Sequence, residues 1–189
     1  MREWQRSEVC PKPTKTLKQK GVVVINLCQN GKDFPMEKTL KNQVVVVCFG
    51  TPSVVGDSFG PKVGTILKDD FNLPCFVYGS VDCPVTAKNK GEYIRLVSTV
   101  HKGATILSVD ASLGQKDKVG KYTIRNDGVC PAGIKGQKDR FGQVGILGVV
   151  GESGKDNMLT LLTANDDYVS KLAHKVAVVI KTAIDHKKE

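Results

Sequence analysis

Apolar residues along this chain fall into unbroken runs that alternate with helical stripes. Val44 to Phe49 (VVVVCF) and Ala104 to Val109 (ATILSV) carry almost no polar interruption, the pattern of strands buried on both faces of a sheet. Val144 to Val150 reads the same way, and Cys75 to Tyr78 is a shorter strand. Between these runs the period changes. Phe59 to Asp70 places Val63, Ile66 and Leu67 on one side, with Pro61 early, where a first helical turn tolerates it. Glu92 to His101 and Asn165 to His186 repeat apolar residues at helical spacing, the second with acids at its start and lysines at its end. Lys121 to Arg125 alternates weakly, as an added strand would. Strands alternating with helices predict a three-layer α/β/α sandwich around a mostly parallel sheet.

Less regular segments flank this body. Met1 to Lys20 is polar, basic and contains two prolines, and reads as a flexible arm; residues 21–189 read as a single domain. Gly21 to Cys28 (GVVVINLC) is apolar and β-branched, an edge strand or a packed extension, and Phe34 to Leu40 reads as a short helix.

Composition narrows the function classes. The 189 residues are 40% hydrophobic and 25% charged, enough for a sizeable core. No apolar run approaches the roughly 20 residues that span a bilayer, and the first ten residues lack a secretory stretch, so a soluble cytoplasmic protein is expected. The net charge of +9 first suggests nucleic acid. However, +4 of it lies in Met1 to Lys20 and +3 in Lys171 to Glu189, so the body is nearly balanced and no nucleic-acid partner is expected. Six cysteines, none in a C-x-x-C pair, read as reduced thiols and not as a disulfide framework or zinc site; no tightly held zinc or nickel, and no cofactor, is expected.

In an α/β sheet, sites form beyond the carboxyl ends of the strands, where strand order reverses. Two acids lie in the loops that this rule selects. Asp57 stands in GDSFGP at the mouth of a helix, and Asp110 directly follows a strand. If the two strands are neighbours, the carboxylates meet over the reversal point and share a proton. One can then deprotonate water while the other protonates a carbonyl oxygen or leaving amine. The plainer alternatives are a helix N-cap for Asp57 and a strand-end residue tying down a loop for Asp110. The segment Cys130 to Gly142 (CPAGIKGQKDRFG) combines tight-turning glycines with Lys135, Lys138 and Arg140. It reads equally as a substrate-binding or gating loop and as a solvent-exposed connection.

Other features rank lower. GESGKD at Gly151 to Asp156 resembles a phosphate loop but has Val149 where the motif needs glycine and Asp156 where it needs Ser or Thr. Cys130 as a nucleophile lacks a histidine partner in the pattern. His101, His174 and His186 fall on predicted helices, His101 near a C-terminus and the other two on a wet side. Cys48 is core.

At GDSFGP and SVDASLG the chain resembles the YyaC-type sporulation proteins, a bacterial family regarded as spore proteases, which in turn resemble the spore germination protease. The resemblance runs from about Val44 to Gly151. Asp57 to Pro61 stand where the germination protease has D-A-L-G-P, Val109 to Ala111 match V-D-A, and Pro131, Gly133, Gly136 and Lys138 resemble its proline-led glycine and lysine loop. VYGSVDCPVTAKN, Val77 to Asn89, looks like the YyaC-type family's own signature.

The wider fold group includes the hydrogenase maturation peptidases, which use two acids and a histidine and touch a metal. No histidine follows Asp110 until His174, so the resemblance favours the germination-protease style, in which two aspartates act. It implies a peptidase with Asp57 and Asp110 catalytic. Gly50, Gly56, Pro131, Gly133, Gly136 and Lys138 would bind a protein or peptide substrate, small spore proteins or another sporulation protein. The setting would be the cytoplasm or the spore interior. A non-catalytic scaffold that kept the fold, and a nucleoside or tRNA-linked hydrolase, stand as alternatives. Homo-oligomerisation is left open.

Overall fold

The computed structural model describes residues 43–131 and 140–185. The Met1 to Lys20 arm, the Gly21 to Cys28 run and the Phe34 to Leu40 segment lie outside the described residues.

Among the described residues, five strands form one sheet: β1 (Val44–Cys48), β2 (Phe76–Tyr78), β3 (Thr105–Gly114), β4 (Tyr122–Arg125) and β5 (Val144–Glu152), in the order β2-β1-β3-β5-β4. All neighbours are parallel except β4 and β5. The two most apolar runs of the sequence, β1 and β3, are adjacent, with Val44 beside Thr105 and Cys48 beside Val109. The chain moves from β1 outward to β2, then returns to place β3 on the other side of β1. Strand order therefore reverses between β1 and β3, and a crevice opens beyond their carboxyl ends.

Helices cover both faces. A 3₁₀ turn at Gly56–Ser58 leads into α1 (Phe59–Thr65), and a wider turn at Ile66–Asp70 ends that helical stretch. With α4 (Asp166–Asp185), α1 packs on the sheet face that carries Val46, Cys48, Leu107, Val109 and Ile146. The second face, with Val45, Val47 and Phe49, is covered by α2 (Lys90–Val100) through Val97. The Lys62 ammonium, on α1, donates to the Asp166 carboxylate and to the Ser170 hydroxyl (2.7 Å), joining the two helices of the first face.

Two sequence expectations change, and one element is added. The strand expected to close on Asp110 continues to Gly114, because β3 loses its partner β1 after Val109 but keeps β5; half-exposed residues replace the apolar run there. A short helix, α3 (Asn157–Leu162), follows GESGKD, and the Asp156 carboxylate caps it by accepting from the Leu159 N–H (2.9 Å). Its Met158, Leu159 and Leu162 side chains are exposed, so it carries no buried stripe to reveal it. Finally, Cys83 is disulfide-bonded, against the expectation of six reduced thiols, whereas Cys48, Cys75 and Cys130 form no disulfide. The size of the core bears on whether a fold needs staples, not on whether a loop thiol finds a partner.

His101 stands at the C-terminus of α2, where the sequence places it, and has specific side-chain partners there. It is 6% exposed. Its Nε2 shares a hydrogen bond with the Tyr78 hydroxyl (2.8 Å), its ring packs on Phe76, and burial lowers its pKa.

Candidate active site

The loop after β1 turns sharply at Gly50, whose φ is +146°. A Cβ there would lie 2.0 Å from the Asp57 carbonyl oxygen, so only glycine lets the chain fold back this closely. Phe49 remains attached to the sheet, its N–H donating to the Val109 carbonyl (2.8 Å). One residue further, the Thr51 N–H donates to Asp57 Oδ2 (2.7 Å). The Asp57 carboxylate thus reaches back across its own loop. Neither the 3₁₀ turn nor α1 has a side-chain cap, so Asp57 is not the N-cap that was the plain alternative for it.

Asp110 follows Val109 on β3 and is 8% exposed. Its Oδ1 accepts from the Ala111 N–H (2.9 Å). Both aspartates line one cavity of about 380 Å³, at the reversal point between β1 and β3. The cavity lining also carries cations. Lys90, the first residue of α2, donates through Nζ to the Pro131 carbonyl (2.8 Å). Arg125 and Arg140 also line the cavity, and both are held by Asp127, at 2.9 Å and 3.1 Å. These cations hold the exposed Asp127 carboxyl below the usual carboxylate range, the Arg125 hydrogen bond contributing most.

Of the residues selected from sequence, Asp57, Asp110, Gly50 and Pro131 line this cavity. Gly56 does not; it lies beneath Leu161 of α3, which itself reaches the cavity wall. Gly133, Gly136 and Lys138 lie outside the described residues. Lys90, Arg125 and Ser112 were not singled out as site residues, although they line the cavity. Lys90 directly follows the VYGSVDCPVTAKN segment, which was the available signal. Cys130 is in the wall; of the histidines among the described residues, His101 packs against Phe76 and Tyr78, and His174 against Phe71. Cys48 is fully buried, and burial, reinforced by Cys75 and Asp110, pushes its thiol pKa far up, so it is a protonated core group.

Residues 24–179 match the family described as "Protein of unknown function (DUF1256)". The chain belongs to this family. It is 35% identical over 144 residues to "Uncharacterized protein YyaC" of Bacillus subtilis (strain 168), covering 75% of this chain and 70% of that protein. Its YyaC-type character is therefore shown by sequence. The structure is similar to the [NiFe] hydrogenase maturation protease HycI from Thermococcus kodakarensis KOD1, with a TM-score of 0.53 and 16% identity over 76% of this chain and 92% of that one. At that identity the likeness establishes a shared α/β fold.

The hydrogenase maturation peptidases, as a fold group, imply a metal held by two acids and a histidine. The donor set here does not fit. Among the described residues no three His, Cys, Asp or Glu side chains converge as a ligand set. The cavity pairs its aspartates with Lys90, Arg125 and Arg140, which repel a cation. No step is therefore routed through a metal. No helix among the described residues is long and apolar enough to cross a membrane.

Proposed function

We propose that this protein is a peptidase of sporulation in which Asp57 and Asp110 share one proton and direct water at a peptide carbonyl. The observation that carries the reading is that both carboxylates line one cavity at the strand-order reversal. The peptidase-like fold and the YyaC-type membership support it.

The reaction balances on the pair alone. The ionised carboxylate takes a proton from water as its oxygen bonds to the carbonyl carbon, and the protonated one gives its proton to the carbonyl oxygen. The tetrahedral diol then returns one hydroxyl proton to the second carboxylate. The C–N bond breaks, and the amine nitrogen takes the proton that the first carboxylate had gained. The pair ends singly protonated, as it began. Gly50 and Pro131 would border the bound chain, and Lys90, Arg125 and Arg140 offer donors to its carbonyl groups.

The test is incubation with small spore proteins and other sporulation proteins, with products read by mass spectrometry. Defined cleavage by the native protein, absent from Asp110→Asn, is the expected result. No cleavage of any candidate, or equal cleavage by the variant, removes the reading.

A further inference from the structure

We propose that Ser108 is a positioning residue: its hydroxyl fixes the neck of the segment that joins β4 to β5, and so sets the cavity wall that Cys130, Pro131 and Arg140 form. For its link to substrate, the proposal rests on the peptidase reading; the neck itself does not.

Ser108 is fully buried in β3. It precedes Asp110 by two residues and so shares its side of the sheet. Its hydroxyl donates to the Phe141 carbonyl (2.7 Å), with the Val144 carbonyl also in reach (3.0 Å), and accepts from the Val129 N–H (3.1 Å). Val129 and Phe141 also exchange backbone bonds in both directions, at 3.1 Å and 2.8 Å. A serine hydroxyl has one proton and two lone pairs. Here one hydroxyl joins three strands of backbone: β3, the segment leaving β4 and the segment entering β5.

The next residue leaves no slack. Gly142 has φ +95°, and a Cβ on it would lie 2.9 Å from both the Ser108 Oγ and the Ile106 carbonyl oxygen. Immediately outside this junction stand Cys130 and Pro131 on one side and Arg140 on the other, all in the cavity wall. Lys90 on Pro131 and Asp127 on Arg140 complete the hold. Ser108 is not among the cavity-lining residues, so it acts on the site through its neighbours.

Iodoacetamide labelling of full-length protein, read cysteine by cysteine by mass spectrometry, tests the neck. In Ser108→Ala, Cys130 should react at least about 5-fold faster, as a locally opened segment does, while buried Cys48 stays unreacted and reports an intact fold. Gly142→Ala, which breaks the same junction from the other side, should give the same pattern. An unchanged Cys130 rate in Ser108→Ala, or Cys48 labelled in step with Cys130, overturns the proposal.

With a peptide that the native protein cleaves, Ser108→Ala should raise KM about 10-fold and leave kcat within about 2-fold, the mark of lost binding and not lost chemistry. A fall in kcat at unchanged KM also overturns it. Failure of the native protein to cleave any peptide counts against the peptidase reading alone, and the labelling result still decides Ser108.

Discussion

At the scale of single residues, the outcome turns on where two carboxylates find their partners. Asp57 accepts from Thr51 across its own loop and caps no helix; Asp110 is nearly buried inside a strand. Asparagine matches aspartate in size but cannot accept and return a proton. Asp57→Asn and Asp110→Asn should each lower turnover of a cleavable substrate by about 100-fold or more with the fold retained. The double variant should be hardly slower than either single, since the pair acts as a unit. Single-variant losses of only a few-fold would exclude a shared-proton mechanism.

His101 gives a second residue-scale prediction. Burial lowers its pKa below the usual 6.5. As pH falls below that value the unfolded chain takes up the proton first, so stability is lost on acidification, down to the folded-state pKa. His101→Gln, which can still bond Tyr78, should lack this part of the loss. Melting curves from neutral to mildly acidic pH check it; identical slopes in both proteins would contradict it.

At the scale of elements, GDSFGP is explained by how closely α1 approaches the strand ends. A Cβ on Gly60 would lie 2.0 Å from the Phe49 carbonyl oxygen, and one on Gly64 would lie 2.1 Å from that of Gly79. These glycines, four residues apart, share a helix face and seat α1 against the ends of β1 and β2. That contact places the loop carrying Asp57. Gly64→Ala should destabilise the protein by about 1–3 kcal/mol through overpacking. Gly91, near the start of α2, has nothing within 4 Å of its missing Cβ. Gly91→Ala should therefore stabilise by about 0.5 kcal/mol through helix propensity. Denaturant unfolding of both variants decides, and two shifts of the same sign would refute the packing argument.

At the scale of the whole molecule, the larger core among the described residues lies between the sheet and the α1–α4 face, and α4 supplies eight buried residues to it. Ile180 is fully buried in that seam, whereas Val178 on the same helix faces out. Ile180→Ala should lower the unfolding free energy by about 2–5 kcal/mol. Val178→Ala should change it by less than about 0.5 kcal/mol. Chemical denaturation of the two variants makes the comparison, and equal losses would show that the face was wrongly assigned. The same architecture makes the site a product of topology: the crevice exists because β2 and β3 flank β1 on opposite sides.

The strands and the long helices were legible in the chain, because burial on both faces of a parallel sheet, or on one stripe of a helix, writes a period into it. The sequence also singled out Asp57 and Asp110, since both lie where chain and sheet edge meet. Elements without such a period escaped it: α3 exposes its apolar residues, and the end of β3 pairs on one side only. Tertiary structure alone decided which neighbours share the cavity. Lys90, Arg125 and Arg140 come from three separate segments, and no local pattern relates them. It also decided that the Ser108 hydroxyl is a junction and not a strand residue like its neighbours, because its partners lie 21 to 36 residues further along the chain. Hydrogen bonds between distant segments leave no trace in local periodicity, and they form only when the sheet has brought those segments together.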